Sequence, residues 1–116
     1  MKALVIGGCG KIGRAVAWDL VTNYQCDVVG IADANDAGIA GVKHWLGEKI
    51  VGHALNIENV AATAEMMKGY DVAVCTLPTR HTSYLALEAA IEAGINCVDV
   101  LEEYHRRPDV EEDEGL

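Results

Sequence analysis

An α/β fold, a parallel sheet doubly wound with helices on both faces, is what this sequence predicts, and three observations predict it. Five short apolar runs alternate with four stretches of helical periodicity, the pattern of strand–helix–strand crossovers. The first run, Ala3-Leu4-Val5-Ile6, is apolar throughout, as in a strand covered on both sides. It ends in a glycine cluster that leads directly into a helical segment.

The elements follow in order. Lys11 to about Thr22 reads as a helix with Ile12, Ala15, Val16 and Leu20 on one stripe, and Asn23 is placed to cap it in the left-handed conformation. Val28 to Ala32 is a second strand, ending at Asp33. Ile39, Val42 and Leu46 have helical spacing, but Gly38, Gly41 and Gly47 interrupt them. Each interior glycine costs about 1 kcal/mol relative to alanine, so a short or irregular helix is expected. Ile50 to Leu55 is a third strand. Glu58 to Lys68 is a helix with Val60, Ala61, Ala64 and Met67 inward and Gly69 as its stop. Val72 to Cys75 is the fourth strand. The helix after Pro78 places Tyr84, Leu87, Ala90 and Ile91 on one face and stops at Gly94. A fifth strand runs from Ile95 or Asn96 through Val100, and the expected strand order is 3-2-1-4-5.

The 116 residues suffice for one domain, and 51% hydrophobic residues build a core without disulfides or a structural metal. Nine basic against eighteen acidic residues give a net charge of −9, which argues against nonspecific nucleic-acid binding, an interaction driven by phosphate neutralisation. The bias is uneven: residues 1–100 carry net −4 and 101–116 net −5. The expected division is a folded unit over 1–100 and an acidic tail, or the start of a linker, over 101–116. Cys9, Cys26, Cys75 and Cys97 form no Cys-x-x-Cys pair, no apolar run approaches the ~20 residues of a membrane span, and the opening is too short for a signal's apolar stretch. A cytoplasmic protein with reduced thiols, away from membranes, is the expectation.

The chemistry concentrates in Gly7-Gly8-Cys9-Gly10-Lys11-Ile12-Gly13. Read as G-x-G-x-x-G, it uses Gly8 for a tight turn, Gly10 for close backbone approach to a pyrophosphate, and Gly13 for helix-on-strand packing. The helix start then offers free N–H groups to the phosphates. Asp33 closes the second strand 20 residues after Gly13, the separation at which a carboxylate meets the adenosine ribose of a dinucleotide. That carboxylate repels a 2′-phosphate, and no Arg or Lys lies between Ala34 and Val42 to compensate. The reading is a Rossmann domain for NAD rather than NADP. The bland alternative for Asp33 is a turn or cap aspartate.

Thr76-Leu77-Pro78 follows the fourth strand at the edge where ligands sit in open sheets, lining the ribose and nicotinamide side or forming a simple turn. Asn56 either edges the adenine pocket or starts a helix. Cys9 lies inside the loop, where a helix N-terminus can lower a thiol's pKa, or it fills space. Arg80 and His81 lie near the same edge, with surface solvation the simpler reading. The four histidines lack ligand spacing, so no metal site is expected. A Walker loop is excluded because Ile12 stands where Ser or Thr is needed, and none of the four tyrosines has a lysine four residues on.

Lys2 through Gly13, Asp71-Val72-Ala73-Val74-Cys75-Thr76-Leu77-Pro78, Asn96-Cys97-Val98-Asp99-Val100 and Glu102-Glu103-Tyr104 together resemble the amino-terminal domain of the saccharopine dehydrogenase-like family, including lysine 6-dehydrogenases. The resemblance implies hydride transfer between a nicotinamide and an amine or imine carbon of an amino acid. It implies a phosphate loop of Gly8, Gly10, Lys11, Ile12 and Gly13, a ribose contact at Asp33, and Thr76, Leu77 and Pro78 beside the inner ribose. This sequence departs from the family in its glycine-rich segment after Asp33, and it stops where a substrate domain should begin. Cofactor binding without catalysis is therefore the expectation for this piece. The rival is a regulatory nucleotide-sensing domain of the kind attached to potassium transporters, which shares the glycine loop and the acid. The segments around Thr76 and Asn96 favour the oxidoreductase. An uncovered fifth strand is expected to pair with a second copy, giving a homodimer.

Overall fold

The apolar runs pair as a five-stranded parallel sheet of order β3-β2-β1-β4-β5 in a computed structural model, which describes residues 1–100. The strands are β1 (Lys2–Ile6), β2 (Val28–Asp33), β3 (Ile50–Ala54), β4 (Val72–Cys75) and β5 (Asn96–Asp99). The helices are α1 (Lys11–Thr22), α2 (Asp36–Leu46), α3 (Val60–Met67) and α4 (Arg80–Ala93). The acidic segment 101–116, with Glu102-Glu103-Tyr104, lies outside the described residues.

Side-chain alternation along β1 divides the interior into two cores. Ala3 and Val5 pack with Ala17 of α1, Val42 of α2, Val29, Ile31 and Ile50. Leu4 and Ile6 face the other way, against Ala64 and Met67 of α3, Ala89 and Ala90 of α4, Leu55 and Tyr70. Because β1 is the central strand and is covered on both faces, its carboxyl end at Ile6-Gly7 lies in the middle of the molecule, where the strand order reverses.

Several local expectations change. The α2 segment is a regular helix of 11 residues. Gly38 is accommodated by packing: the Asn35 side chain accepts from its N–H at 2.9 Å, and a Cβ there would sit 2.9 Å from Cys9 Sγ. Asn23 ends α1 at φ −92°, and the left-handed residue in that turn is Gln25, at φ 50°. The α3 helix starts at Val60 rather than Glu58, since the Asn59 side chain accepts from Ala62 N–H and fixes the first turn.

The helix faces shift more. Ile12 and Ala15 are exposed, and Gly13 and Ala17 form the buried stripe of α1. Ala61 is exposed while Thr63 is buried. On α4 the buried residues are Ser83, Ala86, Ala89 and Ala90, whereas Tyr84, Leu87 and Ile91 face outward at 50%, 46% and 73% exposure. Close approach of α4 to α3 and the sheet admits only small side chains, which turns the large ones to the far side. Of the two strand cysteines, Cys75 is buried and Cys97 half-buried.

Candidate functional site

The glycine loop is set by contacts that leave no room for a side chain. Gly7, just outside the motif, takes the left-handed conformation at φ +82°; this is the tight turn, displaced by one residue from Gly8. Its N–H donates to the Ala32 carbonyl at 2.7 Å, and its carbonyl accepts from Gly10 N–H at 3.2 Å. At Gly8 a Cβ would sit 2.7 Å from Ile31 Cγ2. At Gly13 it would strike the Gly7 carbonyl oxygen and lie 2.7 Å from Gly8 Cα, so this glycine lets α1 pack on the end of β1. Gly10 differs. The nearest atom to its missing Cβ is 3.7 Å away, and the space beyond opens on the cleft.

Gly10 is also the N-cap of α1, and it brings no side chain to the free N–H groups of the first turn. The other three helices are capped: Asn35 on Gly38 N–H, Asn59 on Ala62 N–H and Thr79 on Thr82 N–H. Four N–H groups at a helix start need partners, so α1 presents its donors and the positive end of its dipole outward.

Asp33 ends β2 beside this turn. Its Oδ2 accepts from Cys9 N–H at 3.0 Å and its Oδ1 from Asn35 N–H at 3.0 Å. The carboxylate is thus held from two loops, with lone pairs remaining on both oxygens. The Cys9 thiol turns toward Asn35 and α2, its Sγ 3.8 Å from the Asn35 carbonyl oxygen. Burial and the neighbouring Asp33 charge push its pKa up to about 11, opposite to the lowering that the helix start suggests. Cys9 therefore fills space with its side chain and contributes its backbone to the loop.

Opposite the loop stand Thr76, Leu77 and Pro78. Gly7, Gly10, Lys11, Ile12, Asp33, Thr76, Leu77, Pro78 and Val100 surround one open cleft of about 530 Å³. A second cavity of about 250 Å³ adjoins it at Asp33 and is lined by Ala34, Leu55, Asn56 and Ile57. Seven predicted residues therefore share the main cleft and Asn56 edges its neighbour, while Gly8, Cys9 and Gly13 shape the loop from behind. Asn56 does not start α3, whose cap is Asn59; its Oδ1 instead accepts from Glu58 N–H at 3.2 Å in the turn before it. Arg80 and His81 are not among the lining residues; His81 Nε2 lies 3.2 Å from Glu58 Oε1, and Arg80 is likewise engaged. Sequence reasoning missed Gly7 and Val100. The doubled Gly7-Gly8 was the available signal for the first. Among the described residues no three His, Cys, Asp or Glu side chains converge as a metal site, and no helix is long and apolar enough to cross a membrane.

This architecture is shared with solved structures. Apo saccharopine dehydrogenase (L-Glu forming) from Saccharomyces cerevisiae superposes with a TM-score of 0.73 at 19% identity, over 96% of this chain and 23% of that one. UDP-glucose-4-epimerase from Stenotrophomonas maltophila, solved with NAD and formylated UDP-arabinopyranose, gives 0.71 at 20% identity, over 85% and 36%. dTDP-glucose 4,6-dehydratase from Streptomyces venezuelae, with NAD and TYD bound, gives 0.67 at 23% identity, over 84% and 38%. At these identities the likeness establishes the fold, and the chain spans about a quarter of the yeast enzyme's length. No curated protein matches the sequence. The family described as saccharopine dehydrogenase NADP binding domain matches residues 3–114. The chain belongs to that family and is an NAD(P)-binding Rossmann domain of the oxidoreductase type.

Proposed function

We propose that this domain binds NAD in preference to NADP and serves as the cofactor domain of an enzyme that moves a hydride at an amino-acid C–N bond. The observation that carries the reading is the uncapped start of α1, with the bare Gly10 Cα at its tip, opening on a cleft that Asp33 edges. The residues present fit a dinucleotide. A pyrophosphate meets the free N–H groups of the first turn, the adenosine ribose meets the remaining lone pairs of Asp33, and the adenine enters the cavity at Ala34, Asn56 and Ile57. Leu77 and Pro78 then bound the inner ribose, and exposed Ile12 covers the pyrophosphate. The bound nicotinamide supplies the hydride acceptor or donor; the chain itself orients it and excludes water from one side.

The NAD preference rests on restraint as well as charge. Two backbone amides hold Asp33, so it cannot swing away from a 2′-phosphate. Unit charges ~4 Å apart repel by about 4 kcal/mol at an effective dielectric of ~20. Asp33 is only half-buried, so solvent screens much of this, and a preference of at least about tenfold, or 1.4 kcal/mol, is the expected remainder. Lys43 does not offset it, since its Nζ donates to the Ile50 carbonyl at 2.8 Å, at the far end of β3 from the Ala54 that pairs with Asp33. Residues 1–100 form the cofactor-binding unit in this reading, and 101–116 lead toward a substrate domain.

Calorimetric titration tests it. NAD should bind at least about tenfold more tightly than NADP, and Asp33→Ala should narrow the gap. Equal or reversed affinities would overturn the preference. With lysine or saccharopine and NAD, this chain alone should show no turnover above a protein-free blank.

A further inference from the structure

We propose that Thr76 is a positioning residue for the phosphate loop: its hydroxyl holds the Gly7 carbonyl so that the first-turn N–H groups of α1 point at the pyrophosphate. The inference rests on the dinucleotide reading above.

The loop has little of its own to fix its shape. Three of the four residues from Gly7 to Gly10 are glycines, and such residues lose more conformational freedom on ordering than any others. Peptide orientation there is governed by hydrogen bonds. The Gly7 N–H is held by Ala32 at 2.7 Å, while within the loop its carbonyl receives only the long bond from Gly10 N–H, at 3.2 Å. The remaining restraint comes from the far side of the cleft. Thr76 Oγ1 lies 2.8 Å from the Ile6 carbonyl oxygen and 3.0 Å from that of Gly7. One hydroxyl hydrogen is shared between the two acceptors. The Thr76 N–H separately donates to Ile6 at 2.8 Å, so the strand ladder does not depend on the side chain.

Loop and wall are in close contact here: the position of a Gly7 Cβ is 3.1 Å from Thr76 Oγ1 and 3.2 Å from Leu77 Cδ2. Gly13 abuts the same Gly7 carbonyl, so a rotated Gly7–Gly8 peptide would also disturb the seat of α1. The hydroxyl proton is committed to the loop, so Thr76 acts as a clamp as well as lining the cleft.

Thr76→Val removes the hydroxyl at constant shape and keeps the backbone bond. Three quantities are read for the wild type, Thr76→Val and Thr76→Ser: NAD affinity by calorimetry, adenosine affinity by NMR shift, and Tm without ligand. The valine variant should bind NAD about tenfold more weakly, as loss of one hydrogen bond to a pre-ordered loop predicts. Its adenosine affinity should stay within about twofold, because adenosine carries no phosphate. Serine should restore NAD binding to within about threefold. Unchanged NAD affinity in the valine variant, with the wild type binding, overturns the inference alone. An equal loss for NAD and adenosine makes Thr76 a wall residue and also overturns it. Failure of the wild type to bind NAD overturns the dinucleotide reading and this inference together. If valine abolishes folding, Thr76→Ala carries the same comparison, with its affinity expected to fall and serine's to hold.

Discussion

Gly13 has the least room of any residue in the loop, and its consequence is sharp. Gly13→Ala drives a methyl into backbone atoms that cannot rotate away, so overpacking of about 1–3 kcal/mol is expected, together with loss of NAD binding. A Tm equal to wild type would show that α1 can tilt freely on β1. A second residue-scale expectation concerns His53, whose Nε2 lies 2.6 Å from the Tyr70 hydroxyl. In the tautomer protonated at Nδ1, the ring accepts from Tyr70, and burial lowers its pKa below the usual value. The folded state then binds this proton less readily than the unfolded chain. The stabilisation is fully present above ~6.5, the ordinary histidine value, and is lost as pH falls below it toward the folded pKa. Thermal melts at pH 8 and 5.5 should show a larger drop for wild type than for His53→Gln; equal drops would remove His53 from the account. The predicted loop residues Gly8, Gly10, Gly13 and Asp33 were legible because each answers to a local spacing rule. Thr76's hydroxyl bond was not, since its acceptors lie 69 and 70 residues away in the chain.

At the scale of elements, α2 separates two kinds of glycine. A Cβ on Gly38 would crowd Asn35 and Cys9, whereas one on Gly41 meets nothing within 4 Å. Gly41→Ala should therefore raise stability by about 0.5–1 kcal/mol, and Gly38→Ala should lower it; denaturant midpoints with unchanged m-values give both. Loss of stability at Gly41 would mean that some contact there depends on a bare backbone. Periodicity located all nine elements of the described residues, and misassigned faces where large apolar residues were taken as inward. On α4 that rule fails because the residues it buries are Ser83, Ala86, Ala89 and Ala90, where it packs against α3 and the sheet. A helix that must lie close to its neighbour buries its smallest side chains, and hydrophobicity alone cannot distinguish that stripe from the bulky one opposite.

For the whole molecule, the edge of the sheet sets the behaviour. β5 pairs only with β4 among the described residues, Val98 on it is 56% exposed, and α4, packed beside it, turns Tyr84, Leu87 and Ile91 outward. An unpaired edge strand is a template for another chain, and the net charge of −5 on residues 101–116 opposes the approach of two copies. Light scattering should show a dimer that grows as salt screens this repulsion, and Val98→Lys should suppress it. A strict monomer at high concentration in both low and high salt would show that the edge is protected.

The clamp between Thr76 and the loop also places the site in time. A ribosome adding ~5–20 residues per second needs about 4–14 s to go from the Ile6 codon to the Thr76 codon, 70 positions later. During that interval β1 can find β2, but not its other neighbour. The glycine loop is made 69 residues before the wall residue that fixes its working shape. A nascent chain is therefore unable to hold a dinucleotide tightly until β4 has docked, and only then does ligand enter the balance.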